Sequence, residues 1–524
     1  MEKIGIDDLI NGGMTQEDLA GLPRKDLWGQ KLKINAGNKD LAVISEEAWL
    51  ATQVANKPPF LFRHCGLPSR IERDDDGVPI IQVLTQDRLR YVLARVAEWY
   101  VERKKVQVSA SPPCDIVRDM LARPEPPLPV LTRIIASPVF APDGSLELEP
   151  GYHAASQTYF APAQGFAIPP VSKHPGRDEI DRAKALILTE LLSDFPFAAE
   201  ADRSHALALA LLPFARDLIN GSTPLHLIEK PTPGTGGSLL AGILAFPFLG
   251  RPLSTLTEGK EEDEWRKRIT AKLKEGPAVL LIDNVRRRLE SSALSAAITS
   301  PIWEDRILGQ SDMIRIPVRC VWMATGNNPS LSSEMSRRTI RIRMDARVDR
   351  PWLREEFRHP ELVEWVSLHR SELVWACLTL IQTWIAAGRP KGAARLGMFE
   401  QWAMVIGGIL EVLKIPNFLG NLSEFYEQED TESAVWRELF ARWWGKYEGV
   451  EVGIADLYPL VISSNADPID LELGDGSERS QRTRLGKRLG DVRDRQYGEY
   501  RIVQGGKRQG AQLWRLVPTG KEGS

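Results

Sequence analysis

Between residues 224 and 344, short and almost continuously apolar runs alternate with helix-patterned segments, and this alternation narrows the possible folds more than any other feature. Pro224 to Glu229, Leu253 to Leu256, Ala278 to Asp283, Val318 to Thr325 and Thr339 to Met344 read as strands. Ser238 to Phe246 and Glu261 to Lys274 read as helices between them. A strand with one wet face alternates apolar with polar residues, whereas a strand covered on both faces does not. The runs therefore predict a parallel sheet with helices on both sides, an α/β fold.

The rest of the chain is organised around that block. At 524 residues it predicts about three domains, at roughly 100–200 residues each. Residues 1–40 are polar and read as a flexible lead-in. Residues 41–180 read as an N-terminal α+β domain, with an amphipathic helix over Gln86 to Glu102 and a small sheet of Leu131 to Ile135, Val139 to Phe140 and Thr158 to Phe160. Residues 181–415 hold the block, opened by helices over Asp178 to Leu192 and Asp202 to Ile219 and closed by helical Glu361 to Gly388 and Met398 to Lys414. Residues 430–520 form a C-terminal module. The 15 tryptophans fall largely in helical patterns such as Trp365, Trp375, Trp402 and Trp443, where they read as packing core. Asp74-Asp75-Asp76-Gly77 reads as a solvated turn rather than a metal site.

Composition excludes several classes. Hydrophobic residues at 43% and charged residues at 26% exclude a mostly disordered chain, and a formal net charge of -3 excludes a uniformly basic nucleic-acid coat. The cysteines (Cys65, Cys114, Cys320, Cys377) form no CxxC or Cys/His cluster, against structural zinc and in keeping with a reducing cytoplasm. No apolar run spans a membrane, and the acidic N-terminus lacks the apolar segment of a secretory signal.

Chemistry concentrates where strands give way to loops. Lys230-Pro231-Thr232-Pro233-Gly234-Thr235-Gly236-Gly237-Ser238 follows a strand and opens a helix. Glycines there let successive N–H groups curl around a phosphate, and the helix dipole favours the anion. Measured against G-x-x-x-x-G-K-[ST], Gly236 and Ser238 fit, while Pro231 stands for the first glycine and Gly237 for the lysine. The lysine normally reaches the outer phosphates as a point charge. Its loss leaves three readings: weak nucleotide binding without hydrolysis, no binding, or a substitute cation, for which Lys230 at the strand exit is the candidate.

Val279-Leu280-Leu281-Ile282-Asp283 delivers a carboxylate to a strand end beside that loop, the Walker B arrangement, where Asp283 and Ser238 would hold Mg²⁺. The next residue, Asn284, cannot act as a base, and Glu264 on the charged helix is a possible source of a carboxylate. Cys320 to Thr325 leads to Gly326-Asn327-Asn328-Pro329, where Asn327 would position a water, or else the segment is a plain turn. Arg337 and Arg338 precede the last strand, where arginines can reach a neighbouring subunit's phosphates, or else they are surface basic residues. Arg395 stands before Phe399-Glu400-Gln401-Trp402, where it would reach the phosphates in cis.

This order of strand, glycine loop, helix, strand-Asp, strand-Asn and Arg-Arg resembles the AAA+ ATPase family over about residues 185–415. Trp303 to Ile316 reads as a β-hairpin just before the Asn strand. It is similar to the hairpin of the helicase branch, the superfamily 3 and MCM-like helicases, which implies DNA contacts by Arg306, Gln310 and Ser311. The chain looks most like the helicase half of phage and mobile-element primase–helicase proteins. That likeness rests on Gly151 to Tyr159, Asp283-Asn284-Val285, Ala324 to Pro329 and Phe399 to Trp402, and covers most of residues 41–520. It implies a P-loop core with a helical lid, ATP and Mg²⁺ as cofactors, a homo-hexamer, and DNA and a primase as partners.

Ser477 to Tyr497 reads as a helix rich in arginine, among them Arg482, Arg484 and Arg488 with Lys487. Strand Tyr500 to Gln504, a turn over Gly505 to Gly510 carrying Lys507 and Arg508, and strand Gln512 to Val517 follow. A basic helix before a hairpin with a basic tip reads as a winged helix on DNA, or as a basic module that packs on a protein. Two functions follow from these features: an ATP-dependent DNA helicase or translocase of a phage or mobile element, and a catalytically inactive AAA+-like DNA-binding replication or regulatory factor.

Overall fold

The computed structural model describes residues 31–306, 313–429, 431–462, 468–471 and 473–519. It falls into two compact units: one ends at Gly420 and excludes Ser330–Arg337, and the other comprises Ser330–Arg337 with the chain from Asn421 onward.

The first unit begins with β1 (Leu32–Asn35), α1 (Leu41–Ala55), β2 (Leu61–His64), β3 (Leu67–Arg73), β4 (Pro79–Val83), α2 (Gln86–Val96), β5 (Ala97–Arg103), β6 (Val106–Ser109) and α3 (Cys114–Ala122). These make sheets ordered β1-β5-β6 and β2-β3-β4 around a core that includes Ile34, Trp49, Leu61, Leu93, Trp99 and Met120. The helix expected through Glu102 stops at Val96. The run Ala-Glu-Trp-Tyr-Val instead pairs in parallel with β1, from Leu32↔Ala97 to Asn35↔Tyr100. Strand pairing overrides the helical spacing, and the Trp99 indole N–H caps the helix at the Leu93 carbonyl, 2.9 Å away. Asp74 accepts from the Asp76 and Val78 N–H groups, so the aspartate run is a turn. The expected small sheet is split in two: of β7 (Arg133–Ile135), β8 (Val139–Phe140), β9 (Leu146–Glu147), β10 (Gly151–His153) and β11 (Thr158–Phe160), one sheet has the order β10-β11-β7, and β8 pairs with β9 in another.

The core follows. Helix α4 (Arg177–Lys184) runs on as a π-helix over Ala185–Leu191, and α5 (Glu200–Ala215) is buried along nearly its whole length. Then come β12 (Leu225–Lys230), α6 (Gly237–Leu249), β13 (Thr255–Leu256), α7 (Glu262–Lys274), β14 (Val279–Val285), α8 (Ser292–Thr299), the hairpin β15 (Ile302–Arg306) and β16 (Met313–Pro317), β17 (Val321–Asn327), and β18 (Thr339–Arg343). Strands β13-β14-β17-β12-β18 form one sheet in that order, every neighbouring pair parallel. All residues of β12 are buried, the two-sided burial that the apolar run implied. The helical segment closing the unit breaks at His369 into α9 (Leu362–Leu368) and α10 (Arg370–Ala386), and α11 (Glu400–Val412) follows.

In the second unit α12 (Leu422–Glu429), α13 (Thr431–Tyr447), α14 (Ile454–Val461) and α15 (Glu478–Asp491) precede a sheet of β19 (Gln496–Tyr497), β20 (Tyr500–Arg508) and β21 (Ala511–Pro518). Trp436, Trp443, Leu485, Leu489, Ile502 and Trp514 are buried together in its core. The basic helix is shorter than expected, ending at Asp491, and the hairpin is longer. Gly505 and Gly506 make a bulge, pairing resumes at Lys507↔Gln512, and the turn falls at Gln509-Gly510. Glycine in a strand commonly marks such a bulge rather than the end of the strand.

Candidate active site

The glycine loop lies between β12 and α6, at the C-terminal edge of the sheet. Gly234 and Gly236 have φ of 82° and 97°, which side chains other than glycine seldom adopt. Gly236 is the N-cap of α6, so the loop meets the positive end of the helix dipole. Thr235 is buried and its hydroxyl donates to the Thr232 carbonyl at 2.7 Å, fixing the loop from inside.

Gly237 has an ordinary φ, so its lack of a side chain has another cause. A Cβ built there would lie 2.8 Å from Lys230 Nζ and 3.0 Å from both Cδ and Cε. The outer part of the Lys230 side chain fills the space that a residue at 237 would otherwise occupy. Burial lowers the Lys230 pKa and the Asp283 carboxylate opposes that shift. The main chain of Lys230 is fixed as well: it is level with Asn327 of β17, and its carbonyl accepts from Asn328 N–H at 2.9 Å.

Asp283 stands where β14 bulges. Ile282 pairs with Ala324 and Val285 with Gly326, so Asp283 and Asn284 together face the single residue Thr325. The bulge re-aims the strand end and puts Asn284 at φ 58°, a left-handed conformation that asparagine tolerates better than glutamate. Thr325 holds the bulge from both sides. Its hydroxyl donates to Asp283 Oδ1 at 2.5 Å and accepts from Asn284 N–H at 2.9 Å. Ser238 Oγ donates to the same Oδ1 at 2.9 Å. Asn284, with its amide oxygen toward Arg286, accepts from Nη2 and Nε at 3.0 and 3.1 Å.

A hydroxyl and a carboxylate 2.9 Å apart, beside the glycine loop, are hard oxygen donors of the kind that suit Mg²⁺. Among the described residues no group of three or more His, Cys, Asp and Glu is placed to hold a metal, so protein side chains alone do not build a cage for one.

The structure thus brings Lys230, Gly234, Thr235, Gly236, Gly237, Ser238, Asp283 and Asn327 to one sheet edge. Arg338 is partly buried at the entry to β18, and its carbonyl accepts from Leu225 N–H at 2.9 Å. Arg337 belongs to the second unit, is exposed, and its Nε donates to the Ser333 carbonyl at 3.2 Å. Arg395 turns its guanidinium onto the carbonyls of Gly392, Ala393 and Ala394, at 2.8, 3.0 and 3.0 Å. Glu264 is held by the Arg268 guanidinium and by Lys260 N–H at 2.7 Å, bonds that lower its pKa. Arg306 is exposed at the end of β15, whereas Gln310 and Ser311 lie outside the described residues. The base of that hairpin is fastened to α7: Thr270 Oγ1 donates to Asp305 Oδ2 at 2.5 Å and accepts from the Trp303 indole at 2.8 Å.

In the second unit Arg482 pairs with Glu478 at 2.5 Å and covers the Tyr458 ring at 5.1 Å, while Arg484 Nη1 donates to the Leu473 carbonyl at 2.6 Å. Both are therefore engaged within the unit. Lys487, Lys507 and Arg508 are exposed, and Arg488 is partly buried.

Two groups at the site have no role that the motifs assign. Thr325 falls within Ala324 to Pro329, but its role depends on the bulge across the strand pair. Trp352 packs on the loop, with Cε3 3.0 Å from a Cβ placed on Gly234, and its side chain remains 58% exposed. The exposed tryptophan after the last core strand was its sequence signal.

No family model matches the chain, and no curated protein matches it. Among solved structures it is similar to the apo C-terminal region of NrS-1, at 11% identity and a TM-score of 0.41, covering 90% of this chain and 99% of that one. It is also similar to JCV helicase, at 14% identity and a TM-score of 0.23, covering 48% of this chain and 63% of that one. Among the described residues no helix is long and apolar enough to cross a membrane.

Proposed function

We propose that the chain is an ATP-dependent DNA helicase or translocase of the AAA+ type, acting in the replication of a phage or mobile element. The observation that carries this reading is the set of three groups at one loop. Ser238 and Asp283 share a hydrogen bond of 2.9 Å, and the Lys230 side chain covers Gly237. The loop N–H groups from Gly234 to Ser238 cradle the phosphates, Lys230 neutralises the outer ones, and Asn327 orients water. Ser238 and Asp283 would hold Mg²⁺, which would supply positive charge to offset that developing on the leaving group.

Arg337 and Arg338 are proposed to act on the nucleotide of an adjacent copy, which makes a ring, a homo-hexamer, the working form. Arg395 would join the site by releasing its loop carbonyls. In the DNA-binding role, Arg306 with Gln310 and Ser311 grips a strand, and the C-terminal unit works as a winged helix. There Lys487, Arg488, Lys507 and Arg508 face phosphate, and Arg482 and Arg484 shape the helix that carries them. A primase is the natural companion activity.

A second reading, a nucleotide-binding DNA factor without hydrolysis, is favoured by one observation, the Asn284 side chain bonded to Arg286 where a second acid would be expected. ATP turnover with and without single-stranded DNA, in the wild type and in Asp283→Ala, separates the two. DNA-stimulated turnover lost in the variant supports the helicase; turnover no greater than that of the variant rejects it.

A further inference from the structure

Hydrolysis at this loop needs an acceptor for the proton of the attacking water, and Asn284 offers none. Its backbone is left-handed and its amide oxygen is bound by Arg286. Two acids of α7 are committed elsewhere. Glu264 is bound to Arg268 and Lys260, and Glu262 accepts from Ser291 and Ser292 hydroxyls and the Ala293 N–H at the start of α8.

The strand beside Asp283 carries a different carboxylate. β13 runs parallel to β14, with Thr255 level with Leu281 and Leu256 level with Ile282. Two residues past Leu256, Glu258 accepts from the main-chain N–H groups of Arg286 and Arg287 at 3.2 and 3.4 Å, both on Oε2. These bonds tie its carboxylate to the exit of the strand that carries Asp283. Among the described residues Oε1 makes no hydrogen bond.

The backbone of Glu258 is held in place rather than left as loop. Arg268 Nη1 donates to the carbonyls of Thr257 and Glu258 at 2.8 and 3.0 Å. The following residue, Gly259, is pressed so close to α7 that a Cβ on it would lie 2.8 Å from Trp265 N. A side chain at 259 would push the turn outward and carry Glu258 with it. An acid is thus fixed at the sheet edge, half-buried, one strand over from where it would be expected.

We infer that Glu258 is the general base for ATP hydrolysis, an inference that rests on the ATPase reading above. The water oxygen forms a bond to the γ-phosphorus while the bond from that phosphorus to the β,γ-bridging oxygen breaks. ADP leaves with the electron pair, the water proton passes to the Glu258 carboxylate, and from there it is released to solvent with phosphate as the second product. The Asp283 carboxylate stays with the metal, so the two acids have separate tasks. Helix α7, which begins a few residues beyond Glu258, also holds the base of the β15–β16 hairpin through Thr270.

The test uses the full chain with single-stranded DNA, and ATP affinity and turnover are measured separately. Glu258→Gln is expected to lower turnover at least about 100-fold, the range for loss of a general base, and to leave ATP affinity within about threefold. Glu258→Asp, which keeps the charge but shortens the reach, is expected to fall between it and wild type; it provides the reading should the glutamine variant fail to fold. Wild-type turnover in Glu258→Gln, with Asp283→Ala inactive, overturns this inference and leaves the ATPase reading standing. Wild-type protein that turns over no ATP above Asp283→Ala overturns both.

Discussion

Lys230 Nζ lies 2.8 Å from the point where a side chain on Gly237 would begin. The two positions are at opposite ends of the phosphate loop, on β12 and α6, yet they share one volume. Glycine at 237 is what lets the lysine at 230 lie there. Since Gly237 has an ordinary φ, Gly237→Ala needs no change of backbone; the flexible end of Lys230 moves instead. The variant should fold with a Tm within a few degrees of wild type and lose about 10-fold in ATP affinity, because the displaced ammonium no longer reaches the phosphates. Calorimetric titration with ATP alongside a thermal melt checks both parts.

Thr325 is expected to matter as much as the acid it serves. Thr325→Val keeps the shape, removes the donor to Asp283 and leaves Asn284 N–H without its acceptor. The cost should be about 1–3 kcal/mol of stability, the usual penalty for an unmade buried hydrogen bond. The Mg²⁺ concentration needed for half-maximal ATP binding should also rise. Denaturant unfolding and a Mg²⁺ titration are the measurements; an unchanged midpoint in both would remove Thr325 from the site.

Trp352 supplies an optical signal. Its ring packs on Gly234 while 58% exposed, so filling the loop should change its environment. ATP should alter the tryptophan emission of the wild type, and Trp352→Phe should abolish that change while keeping the rest of the emission. A change of equal size in the variant would assign the signal to another of the 15 tryptophans.

Acid sensitivity follows from two buried histidines on facing elements of the core. Burial pushes His205 down to about 4 and His226 to about 3, from 6.5. Both are neutral in the fold, so their contribution is intact above pH 6.5 and is lost as pH falls toward 4. Asp202, raised to about 6 by burial, acts the other way: its contribution is present below 3.8 and fades as pH rises through 6. Two histidines against one aspartate leave a net loss on acidification. The Tm should drop between pH 6.5 and 4.5, and His226→Gln should make that drop shallower. A Tm independent of pH in that window would contradict the assignment.

For the C-terminal unit, exposed Lys507 and Arg508 lie on the paired strands beside the turn. Each is expected to reduce the slope of log K against log salt for DNA binding by about 0.9 when replaced by alanine. Fluorescence anisotropy at several salt concentrations reads this directly; an unchanged slope would mean that the hairpin tip does not touch phosphate.

The parallel sheet was legible because burial on both faces writes itself as continuous apolar runs, and β12, β14 and β17 carry such runs. The glycine loop and the carboxylate at the end of β14 were legible as local patterns. The features that complete the site depend on pairing between distant segments. The bulge at Asp283-Asn284 exists only relative to Thr325 on another strand, and it explains why asparagine, tolerant of φ 58°, stands at 284. Glu258 sits beyond a strand of two residues, too short to mark a strand end by periodicity. The helix predicted through Glu102 failed for the same reason: pairing with β1 takes over at Ala97, and no local pattern reports a partner some 60 residues earlier.

On the proposed function, a lysine on β12 does the work of the lysine missing from 237. The measurement that tests it most directly is ATP turnover, with single-stranded DNA present, in Lys230→Ala and in Lys230→Ala/Gly237→Lys. Removing the lysine should lower turnover about 100-fold or more, and returning one from position 237, into the space just vacated, should recover a substantial part of it. Turnover in Lys230→Ala equal to that of the wild type would contradict the account.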